Sequence, residues 1–211
     1  MSTMPLLPPG FQLPAFAREM AMRQHEATTR WHLEHASEPK PNSILVETVL
    51  DQHRRNFDLW HEEDKARAPN ATDAQITTVK RAIDKLNQER NDRVERLDEI
   101  ILSICTHIHA KLVPNARWNT ESPGTAIDRL SIMSLKVFHM KEQEERTDAT
   151  ADHREKCKTK RETLERQRED LAIALQELLD DLFAGRKQMK VYRQFKMYND
   201  PTLNPAIYKA K

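Results

Sequence analysis

Three long intervals of this chain contain neither proline nor glycine: residues 42–68, 70–113 and 125–184. Those two residue types are the ones that break helices. Each interval opens on a plausible cap. Asn42 or Ser43 follows Pro41, and Thr72 has Gln75 at the third helical place of a capping box. Ser122 precedes Pro123, which suits the first helical position. Gly185, followed by Arg186 and Lys187, marks a stop. The third interval is too long for one simple helix. The stretch EERTDATADH, 144–153, divides it, with Thr147 or Asp148 as the new cap. This punctuation predicts helices near 14–35, 42–68, 70–113, 123–147 and 149–184. The tail after residue 190 holds two prolines and is expected to wrap. The fold class is therefore all-α: an antiparallel bundle of four long helices, a shorter N-terminal helix and an irregular C-terminal strap. Residues 1–41 read as an N-terminal extension, 42–190 as the bundle and 191–211 as the strap.

Composition narrows the function. Only 3 glycines occur in 211 residues, too few for the turns of doubly wound sheets or barrels. No glycine-rich phosphate loop is present. With 34 basic and 33 acidic side chains the net charge is +1, which gives no general case for nucleic acid or membrane partners. Two cysteines, Cys105 and Cys157, make no disulfide framework, as expected of a reduced cytoplasmic protein. The opening MSTMPLLPPGFQLPAF lacks a basic region and is broken by proline, unlike a signal peptide. No apolar run approaches the roughly 20 residues that span a bilayer.

Helical phase indicates which residues point inward. Ile76, Val79, Ile83, Leu86, Val94, Leu97, Ile101, Ile104 and Ile108 form one apolar stripe, interrupted by Arg90. Beside it runs a polar stripe: Lys80, Asp84, Asn87, Asn91, Glu95, Asp98. In the preceding helix His53 and Asp64 fall in line with Val46, Phe57 and Trp60, and Asn56 and His61 flank them. SPGTAIDRLSIMSLKVFHM, 122–140, is apolar nearly all round, yet carries Asp128, Arg129, Lys136 and His139. The last helix places His153, Cys157, Lys160 and Gln167 on a seam that becomes ordinary core from Leu171 on. Polar groups on the inward stripe of four helices point to an internal polar site, the way bundles build ligand and metal sites.

Four stretches carry a family resemblance: LWHEEDKAR at 59–67, KRAIDKLNQERNDRVERLDE at 80–99, ESPGTAIDRLSIMSLKVFHM at 121–140 and YRQFKMYNDPTLNPAIY at 192–208. Together they resemble a bacterial family of about this length known only as a domain of unknown function. The resemblance implies an all-helical cytosolic protein. It also implies an association with genes for surface-sugar glycosyltransferases. It implies no activity.

The residues suggest a site for a small anionic ligand, a phosphorylated sugar or nucleotide. Arg90, Arg129, Lys136 and Arg168 would supply positive charge. Asn56, Asp84, Asn87, Asn91 and Gln167 would read hydroxyls or amides. His61, His139 and Asp128 are the catalytic candidates. The competing expectation is that the cations simply pair with Asp64, Asp84, Asp92 and Asp128. A second reading takes Mg²⁺ as cofactor on Asp64, Glu95 and Asp98, two of them at i and i+3. That pattern partly resembles the all-α nucleoside triphosphate pyrophosphohydrolases. However, an antiparallel hairpin would separate Asp64 from Glu95 and Asp98 by roughly 30 Å, and would set His53 and Asn56 beside Asp84 and Asn87 instead. Zinc finds less: HIH, 107–109, puts its imidazoles on different sides of a helix, and Cys157 has no CxxC partner. Cys157 and His153, at i and i+4, share a helix face as a nucleophile and base would.

A third reading is a non-enzymatic adaptor or homo-oligomer. KTKRETLERQRED, 158–170, is laced with opposite charges at i and i+4, as solvated faces are. In the tail Tyr192, Phe195 and Tyr198 alternate with Arg193 and Lys196. Asn199 and Asp200 are expected to turn before Pro201.

Overall fold

The computed structural model describes residues 4–10, 13–33, 39–108, 110–195, 197 and 200–209. It is all-α. A 3-10 turn at Leu13–Ala15 leads into α1 (Phe16–His32). Then come α2 (Ile44–Ala66), α3 (Asp73–His107), α4 (Pro123–Glu145) and α5 (Ala151–Phe183), and a last short helix, α6 (Pro205–Tyr208). The caps explain the starts. Ser43, Thr72 and Ser122 each accept a backbone N–H of the first turn, and Thr72 with Gln75 closes a full capping box. Gly185, at φ +70°, ends α5 in the left-handed conformation that glycine adopts without strain.

One cap differs from expectation. The fifth helix starts at Thr150, whose hydroxyl accepts from His153 N at 3.2 Å. Asp148 is drawn off by Arg146, which donates to it at 2.7 Å, so the next hydroxyl in the chain takes the capping role.

Short connections at 67–72 and 146–150 fold α2 onto α3 and α4 onto α5, and α1 packs against α4, α5 and α2. The core is concentrated in one half of the bundle. It joins Phe16 and Met20 of α1, Leu45 and Val49 of α2, and Leu97, Ile101 and Ile104 of α3. Ile127 and Leu130 of α4 and Leu175, Leu179 and Leu182 of α5 complete it. The apolar stripe of α3 is buried over only part of its length. Ile76 in its first turn and Ile108, the residue that caps its C-terminus, are exposed.

Two short strands too brief to leave a sequence pattern are present. β1 (Arg117–Trp118) pairs in parallel with β2 (Lys187–Gln188) and holds the α3–α4 connection to the segment after α5. Beyond β2 the chain lies on α3: Arg193 pairs with Glu95 and Glu99, and Gln194 N donates to Glu95 at 2.9 Å. Lys196, Tyr198 and Asn199 of the expected strap, and His109 of the HIH pair, lie outside the described residues. Among the described residues no helix is long and apolar enough to cross a membrane.

Candidate functional site

The inward polar residues separate into two groups. The first is a buried knot between α1, α2, α3 and α4. Asp128, 6% exposed, accepts from Gln52, Asn56 and Arg90, the last through a two-pronged contact with Nε at 2.7 Å. Pairing with Asp128 raises the Arg90 guanidinium above its ordinary range and outweighs its partial burial.

His53 continues the network. The hydrogen of Thr28 goes to the Gln24 carbonyl at 3.0 Å, so Thr28 Oγ1 accepts from His53 Nε2 at 2.9 Å. Asn56 donates to Ser131 Oγ at 2.9 Å, leaving the Ser131 hydrogen for His53 Nδ1 at 2.7 Å. Every polar hydrogen is placed with His53 neutral. Complete burial pushes its pKa down to about 3.

The second group lines a cavity of about 940 Å³ at the other end of the bundle. The last residue of α1 supplies His32, and α2 supplies Trp60, His61 and Asp64. The C-terminal half of α4 supplies Lys136, His139 and Glu142, and the N-terminal half of α5 supplies Lys160, Thr163 and Gln167. A ring nitrogen from each of His32, His61 and His139 lies within 4.8 Å of the other two.

Aromatic rings hold these imidazoles in place. His139 stacks on Trp60 at 4.6 Å between centroids, and His32 stacks on Phe138 at 4.4 Å. His61 meets the ring of Phe57 edge-on at 4.5 Å. Hydrogen bonds fix two tautomers. His32 Nδ1 donates to the Thr28 carbonyl at 2.8 Å, and His139 Nδ1 donates to the Glu142 carboxylate at 2.6 Å. The Nε2 atoms of all three rings are buried without a hydrogen-bond partner. Burial, then the neighbouring His32 and His139, push the pKa of His61 down, which favours the neutral ring.

A model of the family described as "Protein of unknown function (DUF4254)" matches residues 46–191. The chain belongs to the DUF4254 family. No curated protein and no solved structure matches it. The family description carries no activity, so the chemistry of this DUF4254 chain is read from its own side chains.

Of the residues singled out from sequence, His61, Asp64, Lys136, His139 and Gln167 line the histidine cavity. Asn56, Arg90 and Asp128 meet in the buried knot instead. Asn87 joins Asn56 and Arg90 along a neighbouring cavity of about 400 Å³, which shares Trp60 and Asp64 with the larger one. Others lie apart. Asp84 pairs with Lys80 on an exposed face, and Arg129 with Glu121 at 2.7 Å. Asn91 lines neither cavity. Arg168 is half-buried, its Nη1 has no hydrogen-bond partner, and desolvation lowers its pKa.

The three carboxylates read as a Mg²⁺ set do not converge. Asp98 turns to the start of α4 and accepts from Gly124 N at 2.7 Å. Glu95 holds Arg193, and only Asp64 reaches the cavity. Cys157 Sγ does contact His153 Nε2, at 3.4 Å, with the sulfur buried.

Sequence phase missed His32 and Thr163 as site residues, and it put Lys160 on the inward seam of the last helix without making it a ligand residue. One signal was available for the histidine. Of nine histidines, three directly follow an aromatic residue: Trp31-His32, Trp60-His61 and Phe138-His139. These are the three that meet: Trp60 stacks on His139 and Phe138 on His32, while Trp31 turns to His53.

Proposed function

We propose that the histidine-lined cavity binds a small anionic ligand, a phosphorylated sugar or nucleotide. The supporting observation is a contrast between cations. A second large cavity, about 830 Å³, is lined by Arg30, Arg54, Arg93, Arg96 and Arg193, and each of these has a carboxylate partner. Among the described residues Lys136 and Lys160, on α4 and α5, have none, and both edge the histidine cavity. Two unpaired ammonium groups beside a space of this size favour a compact anion, since lysine serves phosphate as a point charge. Gln167 and Thr163 offer hydrogen bonds for hydroxyls, and Trp60, Leu164 and Met140 supply an apolar wall. The carboxylate–Mg²⁺ alternative is not kept, because Glu95 and Asp98 are engaged elsewhere.

The test is thermal unfolding with inorganic phosphate, sugar phosphates and nucleotides. A ligand at 100 times its Kd adds about 2.7 kcal/mol of stability. Lys136→Met and Lys160→Met are each expected to weaken binding about tenfold or more, as loss of a charge-assisted contact of 1.5–3 kcal/mol implies. No shift with any of these anions, or an equal shift in the double variant, would sink the reading.

A further inference from the structure

We propose that His32, His61 and His139 bind a borderline divalent transition ion of the zinc(II) type, leaving one coordination position open to the cavity. The Nδ1 atoms of His32 and His139 must carry hydrogens, because a carbonyl and a carboxylate accept from them. In the neutral rings their Nε2 atoms are therefore bare lone pairs. The Nε2 of His61 is likewise buried without a hydrogen-bond partner, and a ring nitrogen from each of the three residues lies within 4.8 Å of the other two. An unsatisfied buried polar atom costs about 1–3 kcal/mol. A cation shared by the three rings removes that penalty.

The three rings are also preorganised. Each ring is set by an aromatic neighbour, and two are also anchored through Nδ1. The atom left free on each is the one that ligates. Histidine ligands characteristically donate their other nitrogen to a carbonyl or carboxylate, as His32 does to Thr28 and His139 to Glu142.

The ligand set chooses the ion. Three imidazoles suit Zn, Cu, Ni or Co, whereas Mg²⁺ and Ca²⁺ require oxygen. At Zn–N distances of about 2.0–2.1 Å, tetrahedral ligand atoms sit roughly 3.4 Å apart. The present limit of 4.8 Å calls for a contraction of at most about 1.4 Å, within reach of small side-chain rotations. Three protein ligands and an open fourth place are the arrangement of reactive rather than structural zinc sites. Lys136 and Lys160 edge the same space, so an anionic oxygen or a water suits that place. The metal site rests on the histidine geometry alone and holds whether or not the anion reading does.

The experiment uses the full untagged chain, stripped with chelator and titrated with Zn²⁺ and Co²⁺. One ion per chain is expected, with the visible bands of four-coordinate cobalt(II) and displaced imidazole ¹⁵N resonances. Replacing a ligand, as in His61→Gln or His139→Gln, is expected to weaken binding by more than about 100-fold. Glu142→Gln, which removes only the support for His139, is expected to weaken it 10–100-fold. His107→Gln controls for surface histidine and should bind as the parent does. Octahedral cobalt spectra, or equal affinity in the parent and the His61→Gln/His139→Gln double variant, would overturn the proposal. The cobalt spectrum of the unaltered chain decides the matter even where a variant fails to fold.

Discussion

At the scale of single residues, two buried polar side chains set how the fold answers to acid and to mutation. His53 is neutral in the folded state with a pKa of about 3, against an ordinary value of 6.5. Below pH 6.5 the unfolded chain takes up a proton that the folded chain refuses. The stability contributed by neutral His53 is thus present above pH 6.5 and is lost as pH falls from there toward 3. Each pH unit in that window removes about 1.4 kcal/mol. In urea unfolding, the parent is expected to lose about 2 kcal/mol more than His53→Gln between pH 7 and 5. Identical pH slopes would refute this. Asp128 is the second case. Asp128→Ala strips the partner from half-buried Arg90, orphans the Gln52 amide and takes one of the two acceptors of Asn56. A loss of about 3–5 kcal/mol is expected in the same assay.

At the scale of the helix, the start of α4 is fixed by tight contact rather than by backbone angle. Gly124 N donates to Asp98, and an added Cβ would collide with the Val94 carbonyl and lie 2.9 Å from Asp98 Oδ1. Gly124→Ala should therefore destabilise by about 2–3 kcal/mol, combining overpacking with a strained cap. Denaturant titration checks this, and a change below 0.5 kcal/mol, the range of ordinary surface substitutions, would contradict it. Helix ends were the most legible feature of the sequence. Proline, glycine and capping hydroxyls act locally, so Ser43, Thr72, Ser122 and Gly185 could be recognised without tertiary knowledge. The α5 cap was not, because an arginine two residues away competes for Asp148. Likewise Asp98 looked like half of a cation site until the close approach of α4 gave it a backbone donor.

At the scale of the whole molecule, the bundle is polarised: apolar core toward one end, histidine cavity toward the other, and the polar knot between them. Periodicity predicted inward polar residues on α2, α3, α4 and α5; Asn56 and Asp128 are buried and Arg90 half-buried, whereas Asp84 and Arg129 pair on exposed faces. It could not foretell that they would part into two groups, since phase gives a direction but not a depth along the bundle. Arg90 and Asp128 meet at one level, and Lys136 and His139 sit about two and three turns further along α4. His32 escaped notice because it belongs to a helix outside the stretch with the repeating pattern. Its position matters mechanically. Phe16 seats the first turn of α1 in the apolar half, and His32 ends the helix about 24 Å away at the cavity. Any occupant held between His32, His61 and His139 would make α1 a latch with both ends fastened. Filling the cavity would slow the release of that helix, and emptying it would leave the latch closed at one end only.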